Sequence, residues 1–362
     1  MSDTVQDPSE FPAPWNYLIP LAKRALIWGT FFALLWVFRH FLPLVFLTFV
    51  FAYVAEHGVE GIAHWVKSRR WRTAIVFLTM IGVIGLTATL LSPQLKNQAV
   101  SFIQNAGKHE AAINDFLDKQ RASSPFMKDM LDEVHAKDIL GELLGKSKEV
   151  DPSTSFHETW GLLLGIFRNA ASATTTFLLS MLFAFLVVAD LPRMARGIES
   201  LKKTRLRHFY DEVSTTVFRF AQVLGRFLEA QLLIAIINTA LTATGMLFLG
   251  IPQIAFLSGV VFVCSFIPVA GVFISTLPIC IVTLDHSGIS LVLLAIGMIA
   301  VVHIVEGYVL NPLIFGTHLK LNPVVVMIVL LVGHELAGIW GLLLGVPAIT
   351  YLFGHAIRYD KA

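Results

Sequence analysis

Polar and ionisable side chains interrupt the apolar runs in the second half of the chain: Glu229, Gln231, Asn238, His303, Glu306, Asn311, His334 and Glu335. An ionised carboxylate at the centre of a membrane helix costs roughly 2.5–3.5 kcal/mol on insertion scales. Such a group faces a cavity, pairs with another polar group, or marks a path for an ion or proton. His303 and Glu306 are three residues apart and share a helix face. Gln231, Asn238, Thr242 and Gly245 follow spacings of 7, 4 and 3, which also puts them on one face. That face either lines a solute pathway or hydrogen-bonds a neighbouring helix. His334 and Glu335 are adjacent in LLVGHELAGIWGLLLGVP, between Gly333 and Gly338. A His and a Glu at a helix break can bind a cation or carry a proton. The competing reading is that all these groups only fix helix packing.

Hydrolytic and nucleotide chemistry lack their motifs. His334-Glu335-Leu336-Ala337-Gly338 has no second His for a zinc-protease helix. The one Gly-Lys-Ser, Gly145-Lys146-Ser147, has Leu140 where a Gly-x-x-x-x-Gly-Lys-Ser/Thr phosphate loop needs its first glycine, and no Gly-x-Ser-x-Gly elbow is present. The expectation is a protein that is not an enzyme, with no cofactor and no resident metal. Cys264 and Cys280 sit in one apolar run and read as small buried residues. The basic residues form short patches beside apolar runs, which does not suit nucleic acid.

The elements that must carry these side chains are membrane helices. Of 362 residues, 56% are hydrophobic and only 14% charged, and the mean hydropathy is +0.71. Soluble domains carry roughly 25% charged residues. Apolar runs near the length needed to cross a bilayer recur along the chain. The expected fold is an all-α polytopic membrane protein of about eight transmembrane segments. Broken or re-entrant helical hairpins are expected in its C-terminal half.

The division read from the sequence begins with a cytoplasmic segment (1–24) and three transmembrane helices (25–91). An extracytoplasmic amphipathic helical insert (92–155) and a further membrane helix (156–190) follow. A cytoplasmic basic amphipathic segment (191–220), a core with broken helices (221–355) and a cytoplasmic tail (356–362) complete it. Within the insert, Ala99, Phe102, Ile103, Ala106, Ile113, Phe116 and Leu117 recur at helical spacing. The basic residues of Glu56–Arg72 and Leu191–Phe220 place both segments in the cytoplasm by the positive-inside rule. The two agree on one parity, with both termini cytoplasmic and the insert outside.

Two apolar runs look alike. Each begins after a proline (Pro252, Pro323), breaks at Ala-Gly (Ala270-Gly271, Ala337-Gly338), and carries another proline in its second arm (Pro278, Pro347). Pro268 and Gly333 stand at the same breaks. Proline removes a donor and glycine admits a left-handed turn. Irregular backbone at membrane depth survives only inside protein or beside a cavity. Paired breaks of this kind point to a transporter's binding site; two kinked crossings are the plainer reading.

From Phe227 onward the chain resembles the autoinducer-2 exporter family of bacterial membrane proteins. The stretches that carry the resemblance are LEAQLLIAIINTALTATGMLFLGIPQIAFLSGVVFVCSFIPVAGVFISTLP, VEGYVLNPLIFG and LNPVVVMIVLLVGHELAGIWGLLLGVP. Gln231, Pro268, Gly271, Glu306, Gly307, Asn311, Pro312, Pro323, Gly333, Gly338, Gly341 and Pro347 match residues that recur in the family. Where the family usually has Pro-Tyr-Val-Gly, this chain has Pro268-Val269-Ala270-Gly271. The resemblance implies a secondary transporter of the bacterial inner membrane, working as a homo-oligomer, with a pentamer suspected. It also implies a small polar solute such as autoinducer-2, or cation/proton antiport with H⁺ and Na⁺.

On this reading the expected coupling residues are Glu306, Glu335, His334, His303, Gln231, Asn238 and Asn311. The expected helix breaks lie at Pro268, Gly271, Pro323, Gly333, Gly338 and Pro347. The two breaks together are expected to build the site. A non-transporting envelope scaffold, working through the insert and the basic segment, is the alternative.

Overall fold

The apolar runs form helices because lipid offers the backbone no hydrogen-bond partners, so each segment must satisfy its own N–H and C=O groups. The computed structural model describes residues 15–123, 170–315 and 322–356, and among these every regular element is helical. In chain order they are α1 (Trp15–Val37), α2 (Leu42–Gly61), α3 (Arg69–Gln104), α4 (Ala106–Ser123), α5 (Ala170–Glu199) and α6 (Arg207–Phe248). Then come α7 (Ile254–Cys264), α8 (Ala270–Ser287), α9 (Ile289–Val305), a π turn (Glu306–Leu310), α10 (Asn311–Phe315), α11 (Pro323–Ala337) and α12 (Ile339–Tyr351).

Six helical stretches among the described residues are long and apolar enough to cross a membrane: Arg39–Gly61, Arg69–Gln104, Thr174–Lys203, Arg207–Phe248, Ala270–Ser287 and Ile289–Ile314. The chain is a multi-pass membrane protein. Helix α1 covers the first expected span, but it is not among the six. α7, α11 and α12 have 11, 15 and 13 residues. At 1.5 Å per residue they reach about 16, 22 and 20 Å, short of the roughly 30 Å hydrocarbon core.

The chain divides into two compact units, Met1–Phe77 with Thr174–Gly225, and Leu78–Ala173 with Arg226–Ala362. In the first, Arg69 holds three helices together. Its guanidinium donates to both oxygens of Glu56, at 2.8 and 2.6 Å, and to the carbonyl of Val188 at 3.1 Å. Phe51 meets Phe177 edge-on with centroids 5.0 Å apart, and Phe77 meets Phe185 at 5.5 Å. A Cβ on Gly225 would lie 2.2 Å from the Tyr53 ring, so glycine is what lets α6 approach α2 this closely.

The second unit carries the broken helices. Its core joins Ala99, Phe102, Ile113 and Leu117 to Phe256, Leu257, Val260, Ile279 and Val282. The sequence boundary expected at Ser92 is not a break in the backbone: α3 runs through it for 36 residues, with Pro93 inside. The apolar stripe of residues 92–123 packs on α7 and α8. The remainder of the expected insert, residues 124–155, lies outside the described residues, as do the tail from 357 and residues 156–169.

Candidate functional site

α7 and α8 form the first hairpin. Residues 265–269 turn the chain between them. A Cβ on Gly271 would sit 2.0 Å from the Cys264 carbonyl oxygen, so only glycine permits the two arms to close. Val269 has φ 64° and ψ −58°, and the Ala270 N–H donates to the Pro268 carbonyl at 2.6 Å. That is the strained form of the γ-turn, and a β-branched residue in it costs on the order of 1–3 kcal/mol. Gln231, 4% exposed on α6, donates its side-chain N–H to the Ser265 carbonyl and so satisfies a group freed by the break.

The π turn comes next to this hairpin. Pro312 has no N–H to bond the Tyr308 carbonyl, so the regular ladder cannot continue there. The helix widens instead, and the Asn311 N–H bonds the Glu306 carbonyl. Widened turns of this kind occur often at functional sites. Glu306 begins the turn. Its Oε2 accepts from Asn238 Nδ2 at 2.9 Å and lies 2.7 Å from His303 Nδ1. Asn238 is 3% exposed, and its Oδ1 has no hydrogen-bond partner. Gly245 lets α6 come close enough for this, since a Cβ there would meet Met298 of α9 at 2.6 Å.

These groups surround a cavity of about 20 Å³ lined by Asn238, Thr242, Ser265, Pro268, His303 and Glu306, among others. That volume holds about one water molecule. Among the described residues, His303 and Glu306 are the only titratable side chains on its wall. Among the described residues no group of three or more His, Cys, Asp or Glu could hold a metal ion.

α11 and α12 form the second hairpin. Pro323 opens α11, and the Asn322 side chain accepts from the Val324 N–H at 2.9 Å. Gly338, at φ 56° and ψ −134°, makes the turn. A Cβ on Gly341 would lie 1.7 Å from the Gly333 carbonyl oxygen, so the two backbones touch at a glycine pair. Pro347 is buried inside α12.

The structure thus gathers Asn238, His303, Glu306, Pro268 and Gly271 at one cavity, with Gln231 bracing the turn beside it. Gly333, His334, Glu335 and Gly338 are not on the cavity wall, and neither is Asn311. Glu335 is exposed and His334 half-buried. The helical period explains this. Gly333 faces α12, and a residue two further on is rotated by about 200°, away from that contact. Of the two hairpins, only the first contributes described residues to the wall of this cavity.

The sequence reading missed a second polar contact. His109 of α4 is 1% exposed, its Nδ1 lies 3.2 Å from Asp285 Oδ2, and its ring stacks near Phe102 at 4.9 Å. Burial pushes its pKa below the ordinary 6.5, against the opposing pull of Asp285 and with a small further push from Lys108. The available signal was its place in the apolar stripe, between Ala106 and Ile113. The left-handed Val269 had no signal in the sequence.

The family model described as AI-2E family transporter matches residues 26–357. A Bacillus subtilis protein named "Putative transport protein YdbI" is 28% identical over 339 residues, covering 92% of this chain and 91% of that protein. A Halobacillus andaensis protein named "Sodium-lithium/proton antiporter" is 26% identical over 357 residues, covering 93% of this chain and 96% of that protein.

Proposed function

Because the chain belongs to the AI-2E transporter family, we propose that it is an ion- or proton-coupled secondary transporter with its coupling site at the Glu306 cavity. The observation that carries this reading is the Glu306 carboxylate, held by Asn238 and His303 at a helix widening beside a broken hairpin. Protons or cations are the cargo that best fits a space of about 20 Å³. A solute the size of autoinducer-2 would need a wider conformation of the same hairpin. The name of the Halobacillus relative supports the same choice.

We assign the protein to the bacterial inner membrane, as a homo-oligomer with both termini in the cytoplasm. The first hairpin then re-enters from the outer side. Two contacts support this: the Phe256 N–H at the start of α7 bonds Gln98 at 3.0 Å, and Asp285 near the end of α8 faces His109. Both ends of the hairpin therefore lie against the α3–α4 region. The same contacts favour transport over an independent scaffold, because the insert is built onto the hairpin that forms the cavity.

The test uses the full chain in sealed proteoliposomes with an internal pH dye. A pH gradient is imposed, then Na⁺ or Li⁺ is added, then autoinducer-2. Wild type should move protons, and Glu306→Gln should not, while inserting normally. Normal flux in Glu306→Gln would remove Glu306 from the mechanism.

A further inference from the structure

The turn of the first hairpin is built against its own backbone preference. Five described residues have a positive φ. Gly250, Gly288 and Gly338 reach it freely, and Gln253, at φ 60° and ψ 32°, lies in the left-handed helical region. The fifth, Val269, is the one β-branched residue among them, and it occupies the rare form of the γ-turn. The second hairpin turns at Gly338 without this cost. The strain therefore sits in one place, on the wall of the Glu306 cavity. A residue in such a conformation persists only while its surroundings enforce it.

What enforces it is slight. The backbone bonds of the turn stay within the hairpin: Ile267 N–H to Cys264, Gly271 N–H to Ile267, and Ala270 N–H to Pro268. Of residues 266–270 only Ile267 is buried; the others are half-buried. Among the described residues, one hydrogen bond ties the turn to another helix: Gln231 of α6 donates to the Ser265 carbonyl. Gln231 lies seven residues, about 10 Å along α6, from Asn238, which holds Glu306. One face of α6 thus grips both the turn and the coupling carboxylate. The space they enclose, about 20 Å³, has room for about one water, so a larger occupant enters only if the wall moves.

We infer that residues 265–269 are the gate of the Glu306 cavity, driven open by the strained Val269 turn and held shut by the Gln231–Ser265 hydrogen bond. The inference rests on the proposed transport reading and adds to it the moving part and its latch. When the bond is released, Val269 relaxes to a negative φ and carries the Pro268 wall away from the cavity. Gln231 is a positioning residue, since it contacts the turn and is not on the cavity wall.

The experiment measures how fast N-ethylmaleimide labels Ser275→Cys, a thiol on the cavity wall, in full-length protein in detergent with Cys264→Ala and Cys280→Ser. A space that holds one water excludes the reagent, so labelling reports opening. Gln231→Met keeps the side chain's length and loses its donor, and should label about ten-fold faster. Val269→Gly holds a positive φ without strain, and should label about five-fold slower. The two substitutions together should return the rate to within about two-fold of the parent. A turn that is only structural gives the opposite sign for Val269→Gly, because losing an isopropyl group from the wall loosens it. Elution profile and melting temperature identify folded protein.

An unchanged rate in folded Gln231→Met, or an unchanged or faster rate in Val269→Gly, would overturn the inference. If Gln231→Met does not fold, Val269→Gly decides alone by the direction of its change. The expected labelling from protein that moves no protons in sealed vesicles supports the gate and overturns the transport reading. Wild-type proton flux with labelling that ignores both substitutions overturns the gate and leaves coupled transport standing.

Discussion

Gly271→Ala puts the smallest possible side chain where the hairpin arms close. The added Cβ would lie 2.0 Å from the Cys264 carbonyl oxygen and 2.7 Å from its carbon. Ordinary van der Waals contact begins near 3.4 Å, so the arms must separate by about 1.4 Å. Neither partner is a flexible side-chain end; both belong to backbone. The displacement falls on residues 265–269, which carry the Pro268 wall of the cavity and the Ser265 carbonyl that Gln231 holds. Overpacking of this kind costs about 1–3 kcal/mol, and a misplacement of about 1 Å can lower a positioned reaction about 100-fold.

Cation-coupled proton flux in Gly271→Ala should therefore fall by about 10- to 100-fold at equal protein incorporation. Gly297→Ala is the control, since a Cβ there meets nothing within 4 Å, and its flux should match wild type. Hydrogen exchange should quicken across residues 265–272 in Gly271→Ala alone. Wild-type flux in Gly271→Ala would refute the placement of the coupling site at the hairpin tip.

Glu335→Gln should leave flux within about two-fold of wild type, because an exposed side chain away from the cavity costs about 0.5 kcal/mol or less on substitution; loss of transport in a liposome flux assay would restore it to the site. Gly341→Ala should separate α11 from α12, since its Cβ would lie 1.7 Å from the Gly333 oxygen; a cysteine pair placed across the two helices should crosslink more slowly than in the parent. Docking of α4 on α8 should weaken with acid. His109 titrates below its usual 6.5 when docked, so the undocked form takes up protons first; docking is complete above about pH 6.5 and declines as pH falls below it. Hydrogen exchange of residues 106–123 should rise over that interval, and His109→Leu should remove the dependence.

Residue chemistry along one dimension explains much of this molecule. Low charge and repeated apolar runs require helices in lipid, because no other open structure satisfies its backbone there. Proline and glycine at 268, 271, 323 and 338 mark where those helices start, stop or turn, since their restrictions are local and travel with the residue; the expected break at Gly333 is instead a packing contact inside α11. Helical spacing alone puts His303 beside Glu306, and Gln231, Asn238 and Thr242 on one stripe.

Packing decided the rest. The Asn238–Glu306 bond joins residues 68 apart in the chain, and the Gln231–Ser265 bond residues 34 apart. No local pattern encodes which stripe meets which break. His334 and Glu335 have the composition of a site, yet the glycine contact between α11 and α12 turns Glu335 outward. The γ-turn at Val269 goes against local preference and persists only because Gly271, Gln231 and the two hairpin arms hold it. A sequence states which groups are costly to bury; the tertiary structure decides which of them find each other.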